Sequence, residues 1–192
     1  MAKLYFKFGA MGCSKTAQAL ITKFNYEERN MKVLLLKPAI DNRDGVNTVK
    51  SRIGLQQEAV SVREDENIFE KYCREFSDCN VIIVDECQFL TPEQVDQLSD
   101  IVIQMDIPVL CFGLATDLRT HLFPGSKRLF EIAESLSEIK SVCTCGAKAT
   151  VNARIDENGK IITEGSQVCI GGNDRYMAMC RRCWLKRRAQ QV

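Results

Sequence analysis

One lysine, one hydroxyl and two carboxylates define the chemistry within reach of this chain. Lys15 and Thr16 close the stretch Gly9-Ala10-Met11-Gly12-Cys13-Ser14-Lys15-Thr16, and Asp85 and Glu86 follow the apolar run Val81-Ile82-Ile83-Val84. A glycine-bearing turn that leads into a helix aims successive backbone N–H groups at phosphate oxygens, while a lysine reaches the outer phosphates and a threonine hydroxyl meets Mg²⁺. Acids at a strand end supply the rest: Asp85 to hold the metal, Glu86 to lie one residue closer to the attacking group. That chemistry is phosphoryl transfer. Ser14 stands where G-x-x-x-x-G-K-[ST] asks for glycine, a position chosen for backbone freedom. The plain alternatives are an ordinary strand-to-helix turn at the first stretch and a surface loop at the second.

A second constellation is built from sulfur. Cys143-Thr144-Cys145-Gly146 and Cys180-Arg181-Arg182-Cys183 flank a β-rich insert whose Asn158-Gly159 marks a hairpin turn. Two such knuckles close a tetrahedral Cys₄ zinc site, and four sulfurs leave no open position, so the metal would be structural. Reduced cysteines without a metal, or a redox pair, are the alternatives. Between the pairs, Val168-Cys169-Ile170-Gly171-Gly172-Asn173-Asp174-Arg175-Tyr176 is too rich in glycine to be a strand throughout. Such a loop offers backbone hydrogen bonds to a planar ligand, or serves as a plain connector.

The positioning elements read as strand, helix, strand. Lys3-Leu4-Tyr5-Phe6-Lys7-Phe8 predicts a buried strand, followed by a helix with Ala17, Leu20, Ile21 and Phe24 on one face and Asn30 as its stop. Met31-Lys32-Val33-Leu34-Leu35-Leu36 predicts a second parallel strand and so a βαβ unit. Residues 38–54 are polar and turn-rich, a solvent loop or a flap that turns Asp41 and Arg43 toward the phosphates. Residues 64–77 carry Ile68, Phe69, Tyr72, Cys73 and Phe76 at helical spacing, as core packing requires. Thr91-Pro92-Glu93-Gln94 opens a further helix with an N-cap, a first-turn proline and a capping box, and Val95, Leu98, Ile101, Val102 and Met105 form its buried face. Pro108-Val109-Leu110-Cys111-Phe112-Gly113 predicts another strand, from which Leu114 to Arg119 leave toward the same crevice. The expected fold is α/β: a P-loop nucleotide-binding parallel sheet flanked by helices over residues 1–137, then a small zinc-ribbon domain over 138–192.

Composition narrows the partners. With 26 Lys and Arg against 25 Asp and Glu in 192 residues there is no basic field of the kind that non-specific nucleic-acid binders use. No apolar run reaches the length of a membrane span and the chain opens on a strand, so a cytoplasmic location is expected. With no export signal, the ten cysteines read as thiols or metal ligands rather than disulfides. His121 is the one histidine, which leaves little for a Ser-His-Asp mechanism.

Taken together, the loop 9–16, the Asp85-Glu86-Cys87-Gln88-Phe89 segment, the cysteine pairs and Ile170 to Tyr176 resemble the thymidine kinases of the cellular and bacterial cytosolic type. The resemblance implies a nucleotide-binding α/β domain followed by a zinc domain whose loop, the lasso, closes over the base. It also implies transfer of the ATP γ-phosphoryl group to the 5′-hydroxyl of thymidine or deoxyuridine, in a homotetramer inhibited by the end product dTTP. By motif position Glu86 is similar to the catalytic base, residues 9–16 with Asp85, Glu86, Cys87 and Gln88 to the ATP contacts, and Thr16 and Asp85 to the Mg²⁺ ligands. Met11, Phe89, Leu114, Leu118 and Phe123 match nucleoside-pocket positions, and Cys169, Ile170, Gly171 and Tyr176 match the lasso. Ser14 departs from the family pattern, as does Leu118, where some members carry an aromatic residue.

Two other classes compete. Asp85-Glu86-Cys87-Gln88 is also the signature of a DExQ motor ATPase, but such motors need a second motor domain, for which few residues remain after Ser137. A zinc-ribbon nucleic-acid-binding module is suggested by Arg181, Arg182, Lys186, Arg187 and Arg188, against the near-zero net charge.

Overall fold

The computed structural model describes residues 1–70, 75–165 and 176–190. Its strands are the short apolar runs: β1 (Leu4–Phe8), β2 (Val33–Pro38), β3 (Thr48–Lys50), β4 (Gln56–Glu58), β5 (Val60–Val62), β6 (Val81–Val84), β7 (Val109–Gly113), β8 (Ser135–Glu138), β9 (Val151–Ile155), β10 (Ile161–Ile162) and β11 (Tyr176–Met179). The helices are α1 (Lys15–Glu27), α2 (Pro92–Met105), α3 (Pro124–Ile132) and α4 (Arg181–Ala189). Six strands form one sheet in the order β5-β2-β6-β7-β1-β8, with parallel pairing throughout. Because all six run the same way, the carboxyl ends of β1, β2, β6 and β7 open on one edge, the place where open α/β sheets bind ligands.

Alternation along the strands builds two cores. Leu34, Leu36, Ile82, Val84, Val109 and Cys111 pack on one face with Val95, Leu98, Ile101 and Val102 of α2. Their neighbours Leu35, Val81, Ile83, Leu110 and Phe112 turn to the other face, against Ala19 and Leu20 of α1. Strands covered on both faces read as continuous apolar runs, which is why Val81–Val84 is buried at every position. The helix from Pro92 begins as its sequence requires: the Thr91 side chain accepts from Gln94 N–H, and the Gln94 side chain returns the bond to Thr91.

Three expectations shift. On α1, Ala17 and Leu20 are buried, but Ile21 and Phe24 are 46% and 57% exposed. The sheet is met instead by the side bearing Ala19 and Lys23, whose ammonium pairs with Glu27, so four apolar residues marked a stripe wider than the actual contact. The second strand starts at Val33 rather than Met31. Residues 38–54 are not a plain loop, since β3 within them pairs antiparallel with β4. Of the stripe on residues 64–77, Ile68 is buried and Phe69 and Phe76 pack partly against the core, while Tyr72 and Cys73 lie outside the described residues.

The remaining strands form a separate three-stranded sheet, β10-β9-β11, antiparallel and closed by a turn in which Gly159 takes φ 74°. Its own core gathers Cys143, Ala149, Val151, Ala153, Ile161, Met179, Cys180 and Trp184, joined by Ala10 from the loop after β1. Among the described residues no helix is long and apolar enough to cross a membrane.

Candidate active site

The loop between β1 and α1 is shaped by three positions. A Cβ on Gly9 would lie 2.3 Å from the carbonyl oxygen of Ile139, so no side chain fits there. Gly12 takes φ 76°, and Ser14 takes φ 64° and ψ 27°. The left-handed conformation is therefore imposed where the pattern places glycine, and Ser14 adopts it at a cost of about 1–2 kcal/mol. The Lys15 ammonium is buried and donates to the carbonyls of Ala10 (2.9 Å) and Gly9 (3.2 Å), with Cys13 Sγ at 3.5 Å. Curled into its own loop, it is held where outer phosphates would sit.

From the end of β6 come the acids. Asp85 is buried and hydrogen-bonded by the Thr16 side chain. Burial first, and the Glu86 charge second, push its carboxyl up to about 7, while the bonds from Thr16 and the Glu86 backbone and the charge of Lys15 pull the other way. A buried acid raised this far, touching a threonine hydroxyl, is a site that a divalent cation would suit. Glu86 sits in the left-handed region at φ 52°, a strained place for a side chain and one often found at functional sites. Arg43 Nη2 donates to its Oε1 at 2.6 Å and Gln88 Nε2 to its Oε2 at 2.5 Å, so both oxygens are aimed. Gln88 in turn accepts from the Leu114 N–H at 2.9 Å, tying the acid to the end of β7. Arg43 Nε also donates to Asp41 Oδ1 at 2.6 Å. Burial alone would lower the guanidinium pKa, but Asp41 and Glu86 outweigh it and raise it.

Apart from the buried Asp85, these groups border one cavity of about 820 Å³, near the upper end for small-molecule sites. Its walls include Met11, Gly12, Ser14, Lys15 and Thr16 from the loop after β1, Asp41 and Arg43 from the flap, and Glu86, Gln88, Phe89, Leu114, Leu118, Phe123 and Tyr176. Phe89 and Phe123 meet edge to face, with centroids 5.7 Å apart. All the matched nucleoside-pocket positions and the lasso position Tyr176 are thus brought together. Cys169, Ile170 and Gly171 lie outside the described residues. Gly9, Ala10 and Cys13 are buried beneath the loop surface, and Cys87 is in the core with its thiol against Cys111, so it is a packing residue rather than a cavity wall.

Asn152 was not singled out by spacing. Although on β9, it is buried, accepts from the Met11 N–H at 2.8 Å and donates to the Thr116 carbonyl at 2.9 Å, lining the cavity between them. A lone amide in an alternating strand gives no sequence signal of such a role. Behind it, the sulfurs of Cys143, Cys145, Cys180 and Cys183 all lie within 4.8 Å of one another, with Cys145 and Cys180 3.7 Å apart. Zinc–sulfur bonds of about 2.3 Å place tetrahedral sulfurs about 3.8 Å apart, so the donor set fits that ion. Backbone N–H groups of Cys145 and Cys180 lower the Cys143 thiol to about 6, while the crowd of sulfurs from Cys145, Cys180 and Cys143 pushes Cys183 up to about 12.

A family model for thymidine kinase matches residues 2–184. The chain belongs to the thymidine kinase family. It is 48% identical to a thymidine kinase of Vibrio vulnificus over 94% of this chain and 95% of that one. To the thymidine kinase of Enterobacteria phage T4 it is 49% identical, over 96% of each. A solved structure, Bacteroides Pif1 bound to ssDNA, aligns at 13% identity with a TM-score of 0.41, covering 71% of this chain and 38% of that one, too slight a likeness to bear on function. As a thymidine kinase, the chain is an ATP-dependent phosphotransferase acting on thymidine.

Proposed function

We propose that the cavity carries out the reaction in one step, passing the ATP γ-phosphoryl group to the 5′-hydroxyl of thymidine or deoxyuridine with Glu86 as the base. The observation that carries this reading is the placement of Glu86: its carboxylate lines the cavity that also holds Lys15, Thr16 and the apolar walls, and Arg43 and Gln88 fix both its oxygens. Glu86 accepts a hydrogen bond from the 5′-hydroxyl and then its proton, as the oxygen attacks phosphorus and the bond to the ADP oxygen breaks. Lys15 leaves the carbonyls of Gly9 and Ala10 for the transferred phosphates, and the loop amides and Arg43 spread the charge. Thr16 and Asp85 would hold Mg²⁺, which would supply charge stabilisation to the phosphates.

Phe89, Leu114, Leu118, Phe123 and Met11 enclose the nucleoside, and the lasso that includes Cys169, Ile170, Gly171 and Tyr176 recognises the base through backbone groups. Cys143, Cys145, Cys180 and Cys183 would hold a structural zinc and so tie both ends of that loop. On this reading residues 1–137 form the nucleotide-binding domain and 138–192 the zinc-ribbon and lasso domain, supported by the separate core around Trp184. The protein works in the cytoplasm as a homotetramer inhibited by dTTP, without a nucleic-acid partner. The direct test incubates the protein with Mg²⁺-ATP and each nucleoside in turn; formation of the 5′-monophosphate from thymidine and deoxyuridine but not from purine nucleosides is expected, and no monophosphate would overturn it.

A further inference from the structure

Among the described lysines, the most deeply buried lies outside the phosphate loop. Lys37, at the end of β2, is 1% exposed. Its ammonium donates to the carbonyls of Thr48 (2.8 Å) and Gly45 (3.1 Å) and lies 3.8 Å from Asp41 Oδ2. Two hydrogen bonds and one ion pair hold the ammonium, and all three partners belong to the flap, residues 38–54. Taking an ammonium out of water costs several kcal/mol, so packing alone would favour an apolar residue at this strand end. What the charge reaches is the base. Arg43 Nε donates to Asp41 Oδ1 at 2.6 Å, and Arg43 Nη2 donates to Glu86 Oε1 at 2.6 Å. Charges of alternating sign therefore run from the end of β2 to the end of β6, across a flap whose regular structure is the short β3–β4 hairpin.

We propose that Lys37 is a positioning residue for phosphoryl transfer, holding Arg43 and through it Glu86 in their working orientation. Without its ammonium, two flap carbonyls lose their donor and Asp41 loses one of its two cations, so the turn that presents Arg43 is no longer fixed. Arg43 is aimed from one side by Asp41, and Glu86 is aimed by Arg43; Lys37 sets the first of these. The inference rests on Glu86 being the base.

The test measures kcat and KM for Lys37→Met in the parent and in an Arg43→Met background. Displacing a catalytic group by about 1 Å costs up to about a hundredfold, so kcat should fall by about ten- to a hundredfold in the parent. The KM for thymidine should stay within about twofold, and in the Arg43→Met background the further loss should also be under about twofold, because the path is already cut. An equal loss in both backgrounds, or no loss in the parent, would overturn the proposal. If Lys37→Met does not fold, Asp41→Asn, which keeps an acceptor but removes the charge between the two cations, decides by the same comparison. Failure of the underlying reading shows separately: Glu86→Gln would then turn over at the parent rate, whereas an inactive Glu86→Gln beside additive Lys37→Met and Arg43→Met losses sinks this inference alone.

Discussion

The two halves of the site are built by different means. The phosphate end rests on four neighbouring strands of a sheet with a core on each face, and its acids and loop simply continue those strands. The other half takes Asn152 and Tyr176 from a small sheet whose core gathers few residues beside four clustered sulfurs. A core that small does not stabilise a precise geometry by burial alone, and small units of this kind are usually held by a metal or disulfides. The contrast assigns different failures to the two halves: damage to the first should stop turnover with binding intact, and damage to the second should loosen the nucleoside with the sheet intact.

Glu86→Gln tests the first half most severely. It keeps the side chain's shape but removes its basicity, so turnover should drop on the order of a hundredfold or more while thymidine still binds. Steady-state kinetics with calorimetric thymidine binding checks both parts; turnover near the parent value would remove Glu86 from the role of base. The counterpart in the second half is Cys180→Ser. One zinc per chain should be found in freshly purified, reduced parent protein, and little in the variant. Its KM for thymidine should rise by about tenfold, an order that outer supports of metal sites commonly show. A metal-free parent protein, or a zinc-free variant with unchanged KM, would erase the contrast.

How much of this was legible in the sequence also differs between the halves. The phosphate loop, the β6 acids and the α2 cap follow from local rules, since a loop between strand and helix, or a carboxylate at a strand end, is placed by its own neighbours. The four cysteines were legible from their spacing in two close pairs, although the pairs meet across a long stretch of chain. Lys37 and Asn152 were not: Asn152 acts on Met11 and Thr116, far away in the chain, and Lys37 acts on a nearby flap whose hairpin gave no apolar period. Ile21 and Phe24 show the opposite error, where periodicity counts apolar residues but does not say which of them the sheet will cover.

A smaller effect isolates Asp85. Its folded-state pKa of about 7 lies above the ordinary value of 3.8, so between those values the folded protein binds more protons than the unfolded chain. The sign follows: this group makes the ligand-free, Mg²⁺-free protein less stable as pH rises from about 4 to about 7, with no further change above. Asp85→Asn should therefore be stabilised relative to the parent at pH 7.5 and not at pH 4, and saturating Mg²⁺-ATP should narrow the gap for the parent. Parallel melting curves for parent and variant across that range would show that Asp85 is not held uncompensated.

Ser14→Gly should give the smallest change and bears on how far the first half is preformed. The left-handed backbone there costs a serine about 1–2 kcal/mol, but glycine surrenders about 0.5–1 kcal/mol more chain entropy on folding, so the net gain in stability is a fraction of a kcal/mol. The melting temperature should move up only slightly. The hydroxymethyl group, however, occupies a loop whose backbone must approach the phosphates, and its side chain makes no capping bond to α1 in return. Its removal should lower the KM for ATP by a few-fold, about 1 kcal/mol or less, and leave that for thymidine nearly unchanged, since Ser14 is not among the walls proposed for the nucleoside. A large loss of activity would mean that the Ser14 hydroxyl itself binds phosphate, and that the strained serine is retained because it contributes to the site.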